Sequence, residues 1–137
     1  MGVMLELNVE DALPEVSFDP TRMRQALLNL LRNGQEAAGK GGTVRLTARR
    51  AGEKVRITVE DSGPGIGPEE QEQIFEPFFT TRASGTGLGL TLTREIITEH
   101  GGLVSVGDSQ LGGAAFHLDL VANSNEPPIL PEPKTPS

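Results

Sequence analysis

The sequence predicts a two-layer α/β sandwich: a mixed, largely antiparallel sheet with three helices on one face. Five segments alternate apolar and polar residues in the manner of half-buried strands, and three stretches between them carry helix signals. The order runs strand, helix, two strands, two helices, two strands, which suits one sheet covered on one side. A chain of 137 residues, 36% of them hydrophobic, fits one domain with one core, and with no cysteine that core needs no disulfide.

VMLELNV, residues 3–9, is the first strand. Asp19 before Pro20 is a good N-cap and first-turn pair, and Met23, Leu27, Leu30, Leu31 and Ala38 then recur on one helical face. TVRLTARR (43–50) and KVRITVED (54–61) follow as strands two and three. A short helix is expected from Pro68 to about Phe75, and a longer one from near Thr86 to His100, where Gly101 and Gly102 offer a left-handed cap. GLVSVGD (102–108) and AAFHLDLV (114–121) close the sheet. The folded domain is expected over residues 1–122. Residues 123–137, with five of the ten prolines and no periodicity, read as a disordered tail or linker.

With 19 acidic against 12 basic residues the chain offers no broad basic footprint, so nucleic acid is not an expected partner. An anionic ligand would have to be held by local features, which directs attention to loops and helix ends. No apolar run approaches the ~18 residues that span a bilayer, and the N-terminal residues lack the basic and apolar regions of a signal peptide, so neither insertion nor export of this segment is expected. Membrane contact is not expected of this domain. The lack of cysteine agrees with a reducing cytoplasm.

Four short segments can carry chemistry. In NLLRNG, Asn29 and Asn33 stand four apart on the first helix and share a face. Such a pair suits a hard cation, and equally an exposed polar face. In DSGPGI, Asp61 ends a strand before Ser62, Gly63, Pro64, Gly65 and Ile66. A carboxylate only accepts hydrogen bonds, so it can select the amino group of adenine and reject the carbonyl of guanine. The same run is also ordinary turn chemistry. In GTGLGL, Gly85, Thr86, Gly87, Leu88, Gly89 and Leu90 open the third helix, where bare backbone and terminal amides can receive phosphate. Between the two glycine segments, IFEPFFTT gathers Phe75, Phe78 and Phe79, three of only five phenylalanines. Those rings read as the anchor of a mobile lid in which Thr80, Thr81 and Arg82 swing over phosphates. Arg82 can pair bidentately with phosphate or simply be solvated. Two look-alikes fail: GPGIG leads into no βαβ unit, and the stretch from Gly34 to Lys40 has Gly41 where a P-loop needs serine or threonine.

Taken together and in this order, the four segments resemble the N box, first glycine box, F box and second glycine box of the ATP-binding catalytic domain of two-component sensor histidine kinases. That family sits in the wider group of gyrase, the Hsp90 chaperones and the mismatch-repair ATPases. The resemblance covers roughly residues 3–121 and implies the Bergerat-type ATP fold, with ATP and Mg²⁺ as ligands. It implies that Asn33 coordinates the magnesium and that Asp61 meets the adenine amino group. ATP contacts would further come from Asn29, Gly63, Gly65, Ile66, Thr80, Thr81, Arg82, Gly85, Thr86, Gly87, Leu88, Gly89 and Leu90, with Asn29, Asn33 and Arg82 as the catalytic set. Relatives that hydrolyse ATP can have a glutamate at position 29; an amide cannot take a proton from water near pH 7.

The implied reaction is transfer of the ATP γ-phosphoryl group to a histidine on a dimerisation domain, followed by a response regulator. Neither histidine here fits the acceptor: His100 closes a helix and His117 lies on the outward side of a strand. The chain is therefore expected to be a catalytic domain cut from a larger protein, monomeric, binding ATP alone and phosphorylating nothing by itself. The whole protein could be soluble or membrane-anchored. Two alternatives share the pocket: a nucleotide-binding regulatory module without transfer, and an anti-sigma-type serine kinase, against which the F box argues. Three residues depart from the common pattern. Gly34 replaces alanine in the N box, Glu36 replaces a frequent lysine, and Ala114 replaces a threonine that often backs the adenine aspartate.

Overall fold

A computed structural model describes residues 2–76 and 89–122. Among these, the elements are β1 Met4–Val9, α1 Pro20–Ala38, β2 Thr43–Ala51, β3 Lys54–Asp61, α2 Pro68–Gln71, α3 Gly89–Glu99, β4 Leu103–Asp108 and β5 Ala114–Val121. The expected order is present. The strands form one sheet in the order β1-β2-β3-β5-β4, with β1 parallel to β2 and the other pairs antiparallel. A parallel pair needs a crossover, and α1 supplies it.

Register separates the two faces of the sheet. Leu7, Leu46, Val59, Phe116 and Val106 lie opposite one another across all five strands. Most of that face packs under α1 and α3, where Met23, Ala26 and Leu30 meet Ile96, Ile97, Val44, Val59, Phe116 and Leu118 in one buried cluster. One residue along, each strand presents the other face, and the row Asn8, Thr47, Thr58, His117 and Ser105 is polar from edge to edge.

α1 starts where the sequence says it should. Asp19 Oδ1 accepts from the amides of Thr21 at 2.9 Å and Arg22 at 3.2 Å, and Pro20 occupies the first turn, where a missing N–H costs nothing. α3 ends in a glycine cap: Gly101, at φ 75°, and Gly102 donate back to the carbonyls of Thr98 and Ile97. His100 is structural, as its position implied, and its role is specific. The Asp19 amide donates to Nε2 at 2.9 Å, so Nδ1 carries the proton given to the Ile96 carbonyl at 2.7 Å. With Arg22 paired to Glu99, the start of α1 is fastened to the end of α3.

α2 is shorter than its sequence implied. The helix stops at Gln71, and residues 72–76 are turns closed by Gln73 N–H to the Glu70 carbonyl and Glu76 N–H to the Gln73 carbonyl. Gln71 Nε2 turns back to the Ile66 carbonyl at 2.8 Å. The ring of Phe75 stands edge-on to Phe116 with centroids 6.1 Å apart, so the chain leaves the helix to bring that ring to the sheet. The proposed start of the third helix at Thr86 and the tail 123–137 lie outside the described residues. No helix among the described residues is long and apolar enough to cross a membrane.

Candidate functional site

Asp61 is the last residue of β3, on the helix-covered face, and only 2% of its surface is exposed. Its Oδ1 accepts from the Gly63 amide at 2.9 Å and from the Ala114 amide at 3.3 Å. The first bond makes a local turn of the kind aspartate favours, and the second ties β3 to β5. The Gly113 amide donates to the Asp61 carbonyl at 3.0 Å. Two glycines allow this crowding: a Cβ at Gly113 would collide with Asp61 Oδ1, and one at Gly63 with the Ala37 carbonyl. Gly65 turns the chain at φ 83° and Ile66 packs against the core. The Ala114 side chain has no hydroxyl to offer the aspartate, and its backbone amide makes that contact.

α1 passes over this end of the sheet. A Cβ built on Gly34 would lie 3.8 Å from the Asp61 Cβ and 3.3 Å from a Val44 methyl. The glycine in place of alanine thus marks a close approach of helix to sheet. Asn33, beside it, is 9% exposed. Asn29, one turn earlier, donates from Nδ2 to the carbonyl of Gly89 at 3.3 Å, at the first described turn of α3. Five residues of α1, about 7.5 Å of helix axis, therefore separate a neighbour of Asp61 from a neighbour of the α3 start. Glu36 is exposed on the same helix.

The start of α3 is held at three points. Besides the Asn29 bond, Thr93 Oγ1 donates to the Gly89 carbonyl at 2.9 Å, and Thr91 Oγ1 donates to the Phe75 carbonyl at 2.8 Å. Gly89 is exposed and Leu90 is packed against the core. The structure thus gathers Asp61, Gly63, Gly65 and Ile66 at one end of the site, and Asn29, Gly89 and Leu90 at the other, with Asn33 on the helix between. Phe78, Phe79, Thr80, Thr81, Arg82, Gly85, Thr86, Gly87 and Leu88 lie outside the described residues. Sequence reasoning missed Thr91 and Gly113. Gly113 carried a faint signal in the glycine pair before β5; Thr91 carried none.

The donors present fit a hard cation that completes its shell elsewhere. Among the described residues no three His, Cys, Asp or Glu side chains group to hold a metal. A neutral amide oxygen such as that of Asn33 suits Mg²⁺ when phosphate oxygens and water supply the other positions.

The open face of the sheet holds a second polar concavity, about 330 Å³, lined by Arg45, Arg49, Arg56, Thr58, Glu60 and His117 among others. Its charges are mostly answered within the protein. Arg56 pairs bidentately with Asp119 at 2.7 and 2.9 Å, Arg45 with Glu6 at 3.0 Å, and Glu60 accepts from Ser109 at 2.8 Å. The hydrogen bonds from Arg56 hold the Asp119 carboxyl below its ordinary range. Burial, then the Arg56 charge, pushes the His117 imidazole down against weaker opposition from Asp119 and Glu60, while Nδ1 shares a hydrogen bond with Thr58 Oγ1 at 3.0 Å.

Residues 18–124 match the family described as histidine kinase-, DNA gyrase B- and HSP90-like ATPase. The sensor histidine kinase ZraS of Escherichia coli O157:H7 is 44% identical over 121 residues, 88% of this chain and 26% of that protein. The chain therefore spans about a quarter of the length of that curated relative. The solved catalytic domain of the histidine kinase ThkA, nucleotide-free, superposes with a TM-score of 0.80 at 38% identity, over 88% of this chain and 80% of that one. Full-length ShkA in complex with AMPPNP gives 0.76 at 35% identity, covering 90% of this chain and 26% of that one. The family match over residues 18–124, the 44% identity to a sensor histidine kinase and the superposition on histidine kinase catalytic domains agree, and the chain belongs to the histidine kinase-, DNA gyrase B- and HSP90-like ATPase family, among the catalytic domains of histidine kinases.

Proposed function

We propose that this domain binds Mg-ATP and transfers its γ-phosphoryl group to a histidine on the dimerisation domain of the same protein, from which a response regulator takes it. The observation that carries the reading is Asp61, buried at the end of β3 in a turn that glycines alone permit, facing the helix that bears Asn29 and Asn33. Its carboxylate would accept from the adenine amino group. The α3 start, with Gly89 and Leu90, would receive phosphate together with Gly85, Thr86, Gly87 and Leu88. Arg82, Thr80 and Thr81 would meet the terminal phosphates, anchored by Phe75, Phe78 and Phe79. Asn33 would hold magnesium, which when bound neutralises charge on the phosphates.

In the transfer, a neutral imidazole nitrogen of the acceptor forms a bond to the γ-phosphorus while the bond from phosphorus to the β,γ-bridging oxygen breaks and ADP leaves. No base in this domain is needed, because the attacking nitrogen already has its lone pair near pH 7. Asn29 suits that economy. Its Nδ2 donates to Gly89, and an amide does not take a proton from water, so hydrolysis is not promoted. The domain would work as a monomer docked on its partner, in the cytoplasm, without nucleic acid or membrane contact of its own.

Calorimetric titration tests the adenine assignment. The parent should bind Mg-ATP, with Mg-GTP at least about tenfold weaker, and Asp61→Ala should weaken Mg-ATP by about a hundredfold. Equal binding of the two nucleotides, or undiminished binding by Asp61→Ala, would remove Asp61 from this role.

A further inference from the structure

The two ends of the site rest on different elements. Asp61 and its glycines belong to β3 and β5, whereas the Gly89 end belongs to α3, and α3 packs mainly against α1 and β4. Something must set the distance between them. Asn29 does so from the α1 side. On the sheet side one hydrogen bond stands out: Thr91 Oγ1 donates to the carbonyl of Phe75 at 2.8 Å, sixteen residues back in the chain.

A threonine inside a helix ordinarily bonds to the carbonyl four residues earlier, as Thr93 does to Gly89 at 2.9 Å. Thr91 gives its hydroxyl to another segment. The Phe75 carbonyl is available because α2 ends at Gln71 and the chain beyond it is in turns. Phe75 is also held from its other side, its ring edge-on to Phe116 at 6.1 Å. Phe116 lies on β5, two residues beyond Ala114, whose amide donates to Asp61. A continuous path of named contacts thus runs from Asp61 through Ala114, Phe116 and Phe75 to Thr91 and the first turn of α3.

We infer that Thr91 is a positioning residue of the nucleotide site: by tying Phe75 to α3 it fixes the distance between the adenine end on the sheet and the phosphate end on α3. This rests on the ATP-binding reading above. A ligand that spans both ends needs that distance to be right, while one that occupies only the adenine end does not.

The test is calorimetry on the whole chain with Mg-ATP and with adenosine. Thr91→Val keeps the shape and loses the donor; Thr91→Ser keeps the donor; thermal unfolding certifies that each variant is folded, and Thr91→Ala replaces Thr91→Val should that one fail to fold. The donor-less variant should bind Mg-ATP about tenfold more weakly with adenosine affinity unchanged, and Thr91→Ser should restore the parent value. Undiminished Mg-ATP binding, or an equal loss for both ligands, would overturn the inference and leave Thr91 a support of the fold alone. A parent that binds adenosine no better than guanosine would instead overturn the ATP-binding reading, whatever Thr91 does.

Discussion

The two faces of the sheet are built from the same alternation and end in opposite conditions. On the open face, polar residues outnumber apolar ones, yet they answer one another in register: Arg56 opposite Asp119, Arg45 opposite Glu6, Thr58 opposite His117. On the covered face polar residues are few, and Asp61, Asn33 and Asn29 follow one another along a single stretch between the end of β3 and the first described turn of α3, with Asp61 beside glycines that leave no room for side chains. Polarity by itself is therefore a poor guide to where a protein works. Partners spread evenly over a surface maintain a fold, whereas polar groups brought under cover at one end make a site.

The contrast predicts that changes under the helices alter ligand handling and that changes on the open face alter stability alone. The largest effect belongs to Asn33→Ala, which should abolish the magnesium dependence of ATP binding and lower phosphotransfer to a restored dimerisation domain by about a thousandfold. Radiolabel transfer with and without magnesium reads both, and a variant that keeps its metal dependence would break the contrast at its centre. Asp119→Ala should do the reverse. It strips Arg56 of a bidentate partner, but the arginine side chain is 42% exposed and can turn to water, so the loss is about 1–2 kcal/mol, or roughly 5–10 °C in the unfolding temperature. Mg-ATP affinity should not change, and a change of tenfold would show that the open face reaches the site.

The smallest effect is a pH dependence. The folded protein holds the His117 imidazole below its ordinary value, so the unfolded chain takes up the proton first as pH falls. The stability this residue contributes is complete above the ordinary imidazole range and is lost as pH falls through the folded value. Unfolding temperatures measured from pH 7.5 down to 5 should therefore decline more steeply in the parent than in His117→Asn. Asp119, also held low, titrates only below the usual carboxylate range and does not confuse that window.

Much of the fold was legible because its signals are local. Alternation placed five strands, and Asp19-Pro20 placed the start of α1, since a cap and its helix are neighbours in the chain. The parallel pairing of β1 with β2 and the β3-β5 adjacency were not legible, because pairing partners are chosen by packing and crossover geometry. The α2 boundary failed for a related reason. Nothing in residues 72–75 is hostile to a helix, but Phe75 is drawn away to Phe116, a residue forty-one positions on. For the candidate site, motif chemistry named the asparagines, Asp61 and the glycines, and among the described residues Asn29, Asn33, Asp61, Gly63, Gly65 and Gly89 lie along one stretch of the covered face. Thr91 and the bridging role of His100 were not named, because each exists only once two distant segments have met.

That bridge at His100 gives the pair of long helices the mechanics of a lever. α1 and α3 run antiparallel, fastened at one extremity by the Asp19–His100–Ile96 hydrogen bonds and the Arg22–Glu99 pair. Toward the other extremity of α3, Asn29 of α1 donates to the Gly89 carbonyl. α3 extends about 16 Å from that pivot, so a rotation of only about 5° would carry its opposite end by about 1.4 Å. For a pivot at the ring of His100 the greatest travel would fall at Gly89, the end proposed to receive the phosphates, which is where the hydrogen bonds of Asn29 and Thr91 restrain it.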